Sequence, residues 1–207
     1  MGNLPDYKGN ATVNWTIING ENKIYGNIHK MDAELDAGDV ISRKAIPITE
    51  KTYIGDILKQ AAADVPLLYE KALKKVFKDA GASIIKGSVH GLRCYPRLPE
   101  DSQVNWRESA KKISRLVRAS SKPYNGAYSF LNGEKIIIWK ADIFKYKEKF
   151  LAVPGHVVGI KKDTKTVQVA CGEGLLDIQE IEYRGNKMPP TEFIKSIRLR
   201  FKQESHA

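Results

Sequence analysis

Two apolar runs, Ile24–Met31 and Val40–Ile48, lie only a few residues apart. The residues between them, Asp32-Ala33-Glu34-Leu35-Asp36-Ala37-Gly38-Asp39, are acidic and closed by a glycine. Short runs rich in Ile and Val and bounded by turn residues read as β-strands. Any fold for this chain must therefore accommodate two strands joined by a tight acidic loop, with Asp36 delivered to the end of a buried strand.

The 207 residues allow one large domain or two small ones. A hydrophobic fraction of 42% is enough for a real core. No run of apolar residues is long enough to span a membrane. The N-terminus lacks the basic and apolar regions of a secretory signal, and Cys94 and Cys171 are far apart. A reducing, cytoplasmic setting is the expectation. The four His are isolated from one another and from Cys, so no metal is expected. Charge is unevenly spread: residues 1–92 hold 12 Lys+Arg against 11 Asp+Glu, and residues 93–207 hold 22 against 13. The basic second half suits an anionic partner such as RNA or a nucleotide, or is simply a lysine-rich solvated surface.

Thr52–Ala80 reads as helical, with Pro66 predicting two helices or a sharp kink. Residues 83–102 read as irregular. Ser109 is placed to cap a helix ending at Ser120 that buries Ile113, Leu116 and Val117. Asn132-Gly133 between Tyr128–Leu131 and Lys135–Ala141 is a hairpin signal. Gly155–Ile160, Thr166–Ala170 and Leu175–Tyr183 supply further strands, which suggests a small antiparallel barrel. Pro189-Pro190 opens an expected last helix, Thr191–Phe201, carrying Lys195, Arg198 and Arg200. Strands alternating with a helix in the first half point to an α/β layer.

Asp36 in a glycine-closed loop is placed to act as a general acid or base, or to bond its own backbone as a turn residue. His29, seven positions earlier on the preceding strand, is a candidate proton-transfer partner or a packed strand residue.

Four blocks, Leu4-Pro5-Asp6-Tyr7-Lys8-Gly9, Asn14-Trp15, Asn19-Gly20-Glu21 and Gly26–Asp39, resemble in order and spacing the 10-formyl-tetrahydrofolate-dependent formyltransferases. The resemblance continues through Arg97-Leu98-Pro99-Glu100-Asp101-Ser102, Trp106, Val117-Arg118-Ala119, Pro123, Gly126-Ala127, Trp139 and Cys171-Gly172-Glu173-Gly174, which look like the C-terminal domain of the methionyl-tRNA and UDP-4-amino-4-deoxy-arabinose members. It implies an α/β fold: the C-terminal part of a Rossmann-like formyltransferase domain over residues 1–92, a linker over 93–108, and a small OB-like antiparallel β-barrel domain over 109–207.

In such enzymes an amine attacks the formyl carbon of the folate, an oxyanion forms, and a proton leaves the nitrogen. By resemblance Asp36 is the catalytic carboxylate and His29 a supporting residue. The backbone of Ala33, Glu34 and Leu35 receives the pterin of 10-formyl-tetrahydrofolate, and Leu4, Pro5, Tyr7 and Arg97 lie on the acceptor side. Read without the resemblance, Arg97 is equally a linker residue paired with Glu100 or Asp101. The family's Asn-x-His falls just ahead of Leu-Pro, which here would lie before Met1. The resemblance thus implies a member shortened at its N-terminus, inactive by itself. Two acceptors compete: an amino-sugar nucleotide, favoured by the local sequence, and initiator methionyl-tRNA, favoured by the basic second half. A non-enzymatic, RNA-binding remnant is a further reading.

Overall fold

A computed structural model describes residues 1–146 and 150–203. The chain divides into two compact units, Met1–Arg97 and Leu98–Ala207. The segment 93–108, read above as a linker, is therefore shared between them.

In the first unit, β1 (Lys8–Gly9) is followed by α1 (Thr12–Asn19), which buries Val13 and Ile17 and stops at Gly20 with φ +78°. A glycine ends the helix there because the left-handed conformation costs it no Cβ clash. Then come β2 (Lys23–His29) and β3 (Val40–Pro47), paired antiparallel from Lys23↔Pro47 to His29↔Val40. The register slips between Ile28 and His29, at the mouth of the acidic loop. The helix α2 (Ile54–Lys78) lays Ile54, Ile57, Ala61, Leu68 and Ala72 on one buried face. Leu68 lies so close to Gly26 that a Cβ there would sit 3.3 Å from Cδ1, so β2 presents bare backbone to the helix. Lys44 of β3 donates to the buried Asp64 of α2 at 2.7 Å.

The split into two helices that Pro66 allowed does not occur: α2 runs through it as one helix. Proline removes a single backbone hydrogen bond, and the buried stripe continues on both sides, so docking against the hairpin outweighs the local defect. After α2 the chain returns past the hairpin, bridging Ile85 to Val40, and ends in β4 (Arg93–Cys94), which runs parallel to β1.

In the second unit, Ser109 caps α3 (Ala110–Ser120), its hydroxyl accepting from the Lys112 N–H at 3.3 Å, and Ile113 and Val117 are buried. The strands are β5 (Ala127–Leu131), β6 (Glu134–Phe144), β7 (Val157–Lys161), β8 (Thr166–Ala170) and β9 (Leu175–Tyr183), then β10 (Asn186–Met188), a short α4 (Pro190–Phe193) and β11 (Phe201–Lys202). Asn132 and Gly133, at φ +53° and +80°, make the predicted β5–β6 turn.

The antiparallel sheet runs β11-β5-β6-β9-β8-β7, with β10 on β9. Its ends meet: Val157 N–H donates to Leu199, and Phe201 N–H to Gly155. The sheet is thus curled, with its edge groups paired against each other. Trp106 lies at 5.1 Å from the Phe201 ring, and its Nε1 donates to Ser129 Oγ at 2.9 Å.

This closure explains why the expected helix over Thr191–Phe201 is wrong. Only four residues are helical; Ile194 is 0% exposed and Phe201 1%. Phe201 must be extended to pair with Leu131, and tertiary burial overrides the helical spacing. Lys195, Arg198 and Arg200 consequently lie on an irregular segment.

Candidate functional site

The first unit brings together two of the residues singled out by sequence. The hairpin places His29 at the end of β2, and the loop folds Asp36 back over it, with His29 Nε2 at 3.6 Å from Asp36 Oδ1. About a quarter of each side chain is exposed, 26% and 28%, so the pair is reachable from solvent. The other oxygen, Asp36 Oδ2, accepts the Gly9 N–H at 2.8 Å. His29 Nδ1 is 3.0 Å from the Lys30 carbonyl oxygen, and Nε2 faces the Asp36 carboxylate. Asp36 itself holds φ +53°, a conformation that costs a non-glycine residue energy and turns its carboxylate back toward the strand.

The loop is narrow for a specific reason. A Cβ at Gly38 would lie 1.9 Å from the Lys30 carbonyl oxygen, and Lys30 N–H donates to Asp39 O at 2.9 Å. Only glycine lets the two stems approach this closely. Ala33, Glu34 and Leu35 form the exposed tip. Glu34 uses its N–H on Asp32 and its carbonyl on Ala37. Beside the loop is a cleft of about 340 Å³, with Lys30, Met31, Asp32 and Ala37 on one side and Gly87 to Val89 on the other.

The remaining residues lie differently. Leu4 is buried and Pro5 half-buried. Tyr7 is 5% exposed; its hydroxyl donates to Glu21 at 2.8 Å and accepts from Asn19 at 3.1 Å. Burial raises its pKa above the ordinary phenol range. That side chain is engaged inside the fold, and only the backbone that follows it reaches Asp36, through Gly9. The Arg97 guanidinium lies 5.9 Å from the Trp15 ring, whose Nε1 donates to Tyr95 O at 2.8 Å.

Two residues not singled out by sequence stand next to the pair. Lys8 is 4% exposed, and its Nζ donates to the carbonyls of Ser88 at 2.8 Å and His90 at 3.0 Å. Asp39 accepts from Gly87 N–H at 2.7 Å and from Lys86 Nζ at 3.1 Å. The Gly87 N–H foremost, and Lys86 after it, hold its carboxyl below the usual carboxylate range. Both residues lie in the quoted blocks, but their partners are some fifty to eighty positions away, and no local pattern points to them. Among the described residues no group of three or more His, Cys, Asp and Glu could hold a metal ion.

Residues 3–73 match the family profile described as formyl transferase, and residues 98–198 that of the formyl transferase C-terminal domain. The bifunctional polymyxin resistance protein ArnA of Wigglesworthia glossinidia brevipalpis is 30% identical over 180 residues, 87% of this chain and 26% of that protein. HypX from Aquifex aeolicus, solved with tetrahydrofolic acid, superposes with a TM-score of 0.65 at 19% identity, covering 92% of this chain and 33% of its own. An N-formyltransferase from Helicobacter canadensis, solved with folinic acid and dTDP-3-aminofucose, gives 0.61 at 19% identity, covering 84% and 62%. The chain spans about a quarter of the length of its curated relative and a third of the HypX chain.

Proposed function

The chain belongs to the formyl transferase family, whose members move one-carbon formyl groups, and we propose that it serves transfer from 10-formyl-tetrahydrofolate to the primary amine of an amino-sugar nucleotide. The observation that carries this reading is the His29–Asp36 pair at 3.6 Å, with Asp36 also held by Gly9 N–H, at the end of β2. The amine attacks the formyl carbon and the C–N bond forms. The amine's proton passes toward Asp36, directly or through water, with His29 in support, and the bond from that carbon to the folate nitrogen breaks as that nitrogen takes up one proton and leaves as a neutral amine. The exposed tip Ala33–Leu35 and the adjoining cleft are the proposed place for the pterin. Leu4, Pro5, Tyr7 and Arg97 are proposed for the acceptor side, Tyr7 through its backbone because its hydroxyl is engaged. Arg97 would act as a two-pronged phosphate or uracil contact. The curled second unit is proposed to be an OB-like barrel.

The similarity to an N-formyltransferase solved with dTDP-3-aminofucose supports the sugar nucleotide. A second reading, methionyl-tRNA, is favoured by the excess of 22 Lys+Arg over 13 Asp+Glu in residues 93–207. Formyl transfer by the longest reading frame containing these residues, offered both acceptors and read by mass spectrometry, decides between them. A formylated UDP-4-amino-4-deoxy-arabinose supports the proposal. Formylated methionyl-tRNA alone selects the second reading, and neither product overturns both. The 207 residues assayed by themselves are proposed to transfer no formyl group; a rate near that of complete relatives would contradict this.

A further inference from the structure

The segment 84–94 touches both halves of the hydrogen bond that holds Asp36. At one end Ile84 and Ile85 pair with Val40, and Gly87 N–H and Lys86 Nζ clasp the Asp39 carboxylate. Gly87 fits there only without a side chain, since a Cβ would lie 1.9 Å from the Ala37 carbonyl oxygen. In the middle, the Ser88 and His90 carbonyls receive the buried Lys8 ammonium. At the far end Leu92 N–H donates to Asp6 Oδ1 at 2.8 Å, and β4 pairs with β1 so closely that a Cβ at Gly9 would sit 2.6 Å from Cys94 O. The donor in the Gly9–Asp36 hydrogen bond thus sits on one anchor of this segment, and the acceptor's loop sits on the other.

A buried lysine whose partners are carbonyl oxygens is an expensive arrangement for a merely structural purpose; a Met of similar length would fill the space without desolvating a charge. What the ammonium adds is direction: it draws two carbonyls of the crossing segment to the residue immediately before Gly9.

We propose that Lys8 and Asp39 are positioning residues, which through the strap 84–94 hold the Asp36 carboxylate in line with Gly9 N–H and His29. This rests on the reading of Asp36 as the working carboxylate, but its test does not involve formyl transfer, so the two fail separately. The test is amide hydrogen exchange, resolved by residue, on the 207-residue chain and its Lys8→Met and Asp39→Asn variants. Asp36→Ala sets the Gly9 rate without its acceptor. The control is the Ile48 amide, which donates to Asn22 O at 2.8 Å at the other end of the hairpin. The expected result is Gly9 exchange about tenfold faster in each variant, approaching the Asp36→Ala rate, with Ile48 unchanged. Should Lys8→Met fail to fold, Asp39→Asn alone decides. Unchanged Gly9 exchange overturns the proposal, as does acceleration of Ile48 in step with Gly9, which would mean general destabilisation rather than positioning.

Discussion

The two units solve the problem of sheet edges in opposite ways. In the second, the strands from β11 to β7 curl until Gly155–Val157 and Leu199–Phe201 hydrogen-bond, and the core is filled by Trp106, Ile136, Ile138, Leu176, Ile178 and Phe201. In the first, β2 and β3 form a two-stranded sheet with Ile85 bridged to Val40, and β1 pairs with β4. One face of α2 packs on that hairpin. Another carries Val65, Tyr69, Leu73 and Phe77 at four-residue spacing, and these are exposed, Phe77 to 86%. The acidic loop and its His–Asp pair lie in the unit that buries less of its own apolar surface. The Asp36 loop is held there by polar contacts, Gly9 N–H on Asp36 and Gly87 N–H and Lys86 on Asp39.

If that contrast is right, truncating the centre of the second unit is the most damaging single change. Phe201→Ala should cost about 3–5 kcal/mol, because it removes both the partner of Trp106 and a residue that closes the sheet. Leu68→Ala, the corresponding deletion in the first unit, should cost about 2–3 kcal/mol, since the exposed surroundings of α2 allow partial collapse. Urea titration of both variants checks the order, and equal or reversed costs would break the comparison.

Acid should act chiefly through the clasps of the first unit. Asp64 is held below the usual carboxylate range by Lys44 foremost and then Gln60, and Asp39 by Gly87 N–H and then Lys86. A carboxyl with a lowered folded pKa stabilises the fold above its unfolded value of about 4, and that contribution is lost as pH falls through the folded value. Thermal melts should therefore show the first unit weakening below about pH 4, and Asp64→Asn should flatten that dependence. The smallest effect belongs to the β5–β6 turn. Gly133→Ala has open space around it but a φ of +80°, so it should cost about 1 kcal/mol, with the rest of the sheet unmoved.

Much of this was legible because it is local. The β2 and β3 runs, Ser109 as a cap and Asn132-Gly133 as a hairpin turn each follow from neighbouring residues. The terminal helix misled because Pro189-Pro190 opens it and Ile194, Ile197 and Leu199 read as its apolar anchors, whereas pairing of Phe201 with Leu131 and burial of Ile194 decide the conformation. At Pro66 the split into two helices fails for the converse reason, a local breaker overruled by docking. At the site, the glycine-closed loop, His29 and Asp36 as an acid, base or turn residue could be read directly, and the resemblance narrowed Asp36 to the catalytic carboxylate. The engagement of Tyr7 inside the fold could not be read, nor could Lys8 and Asp39 as neighbours of one strap, since those contacts join residues far apart in the chain.

Asp36 is the carboxylate proposed to work in formyl transfer. The direct measurement is kcat for transfer from 10-formyl-tetrahydrofolate by the longest reading frame, wild type against Asp36→Asn, with folding checked by the Ile48 amide. The account predicts a loss of about a hundredfold or more in kcat with the fold intact. An Asp36→Asn variant within a fewfold of wild type would contradict it.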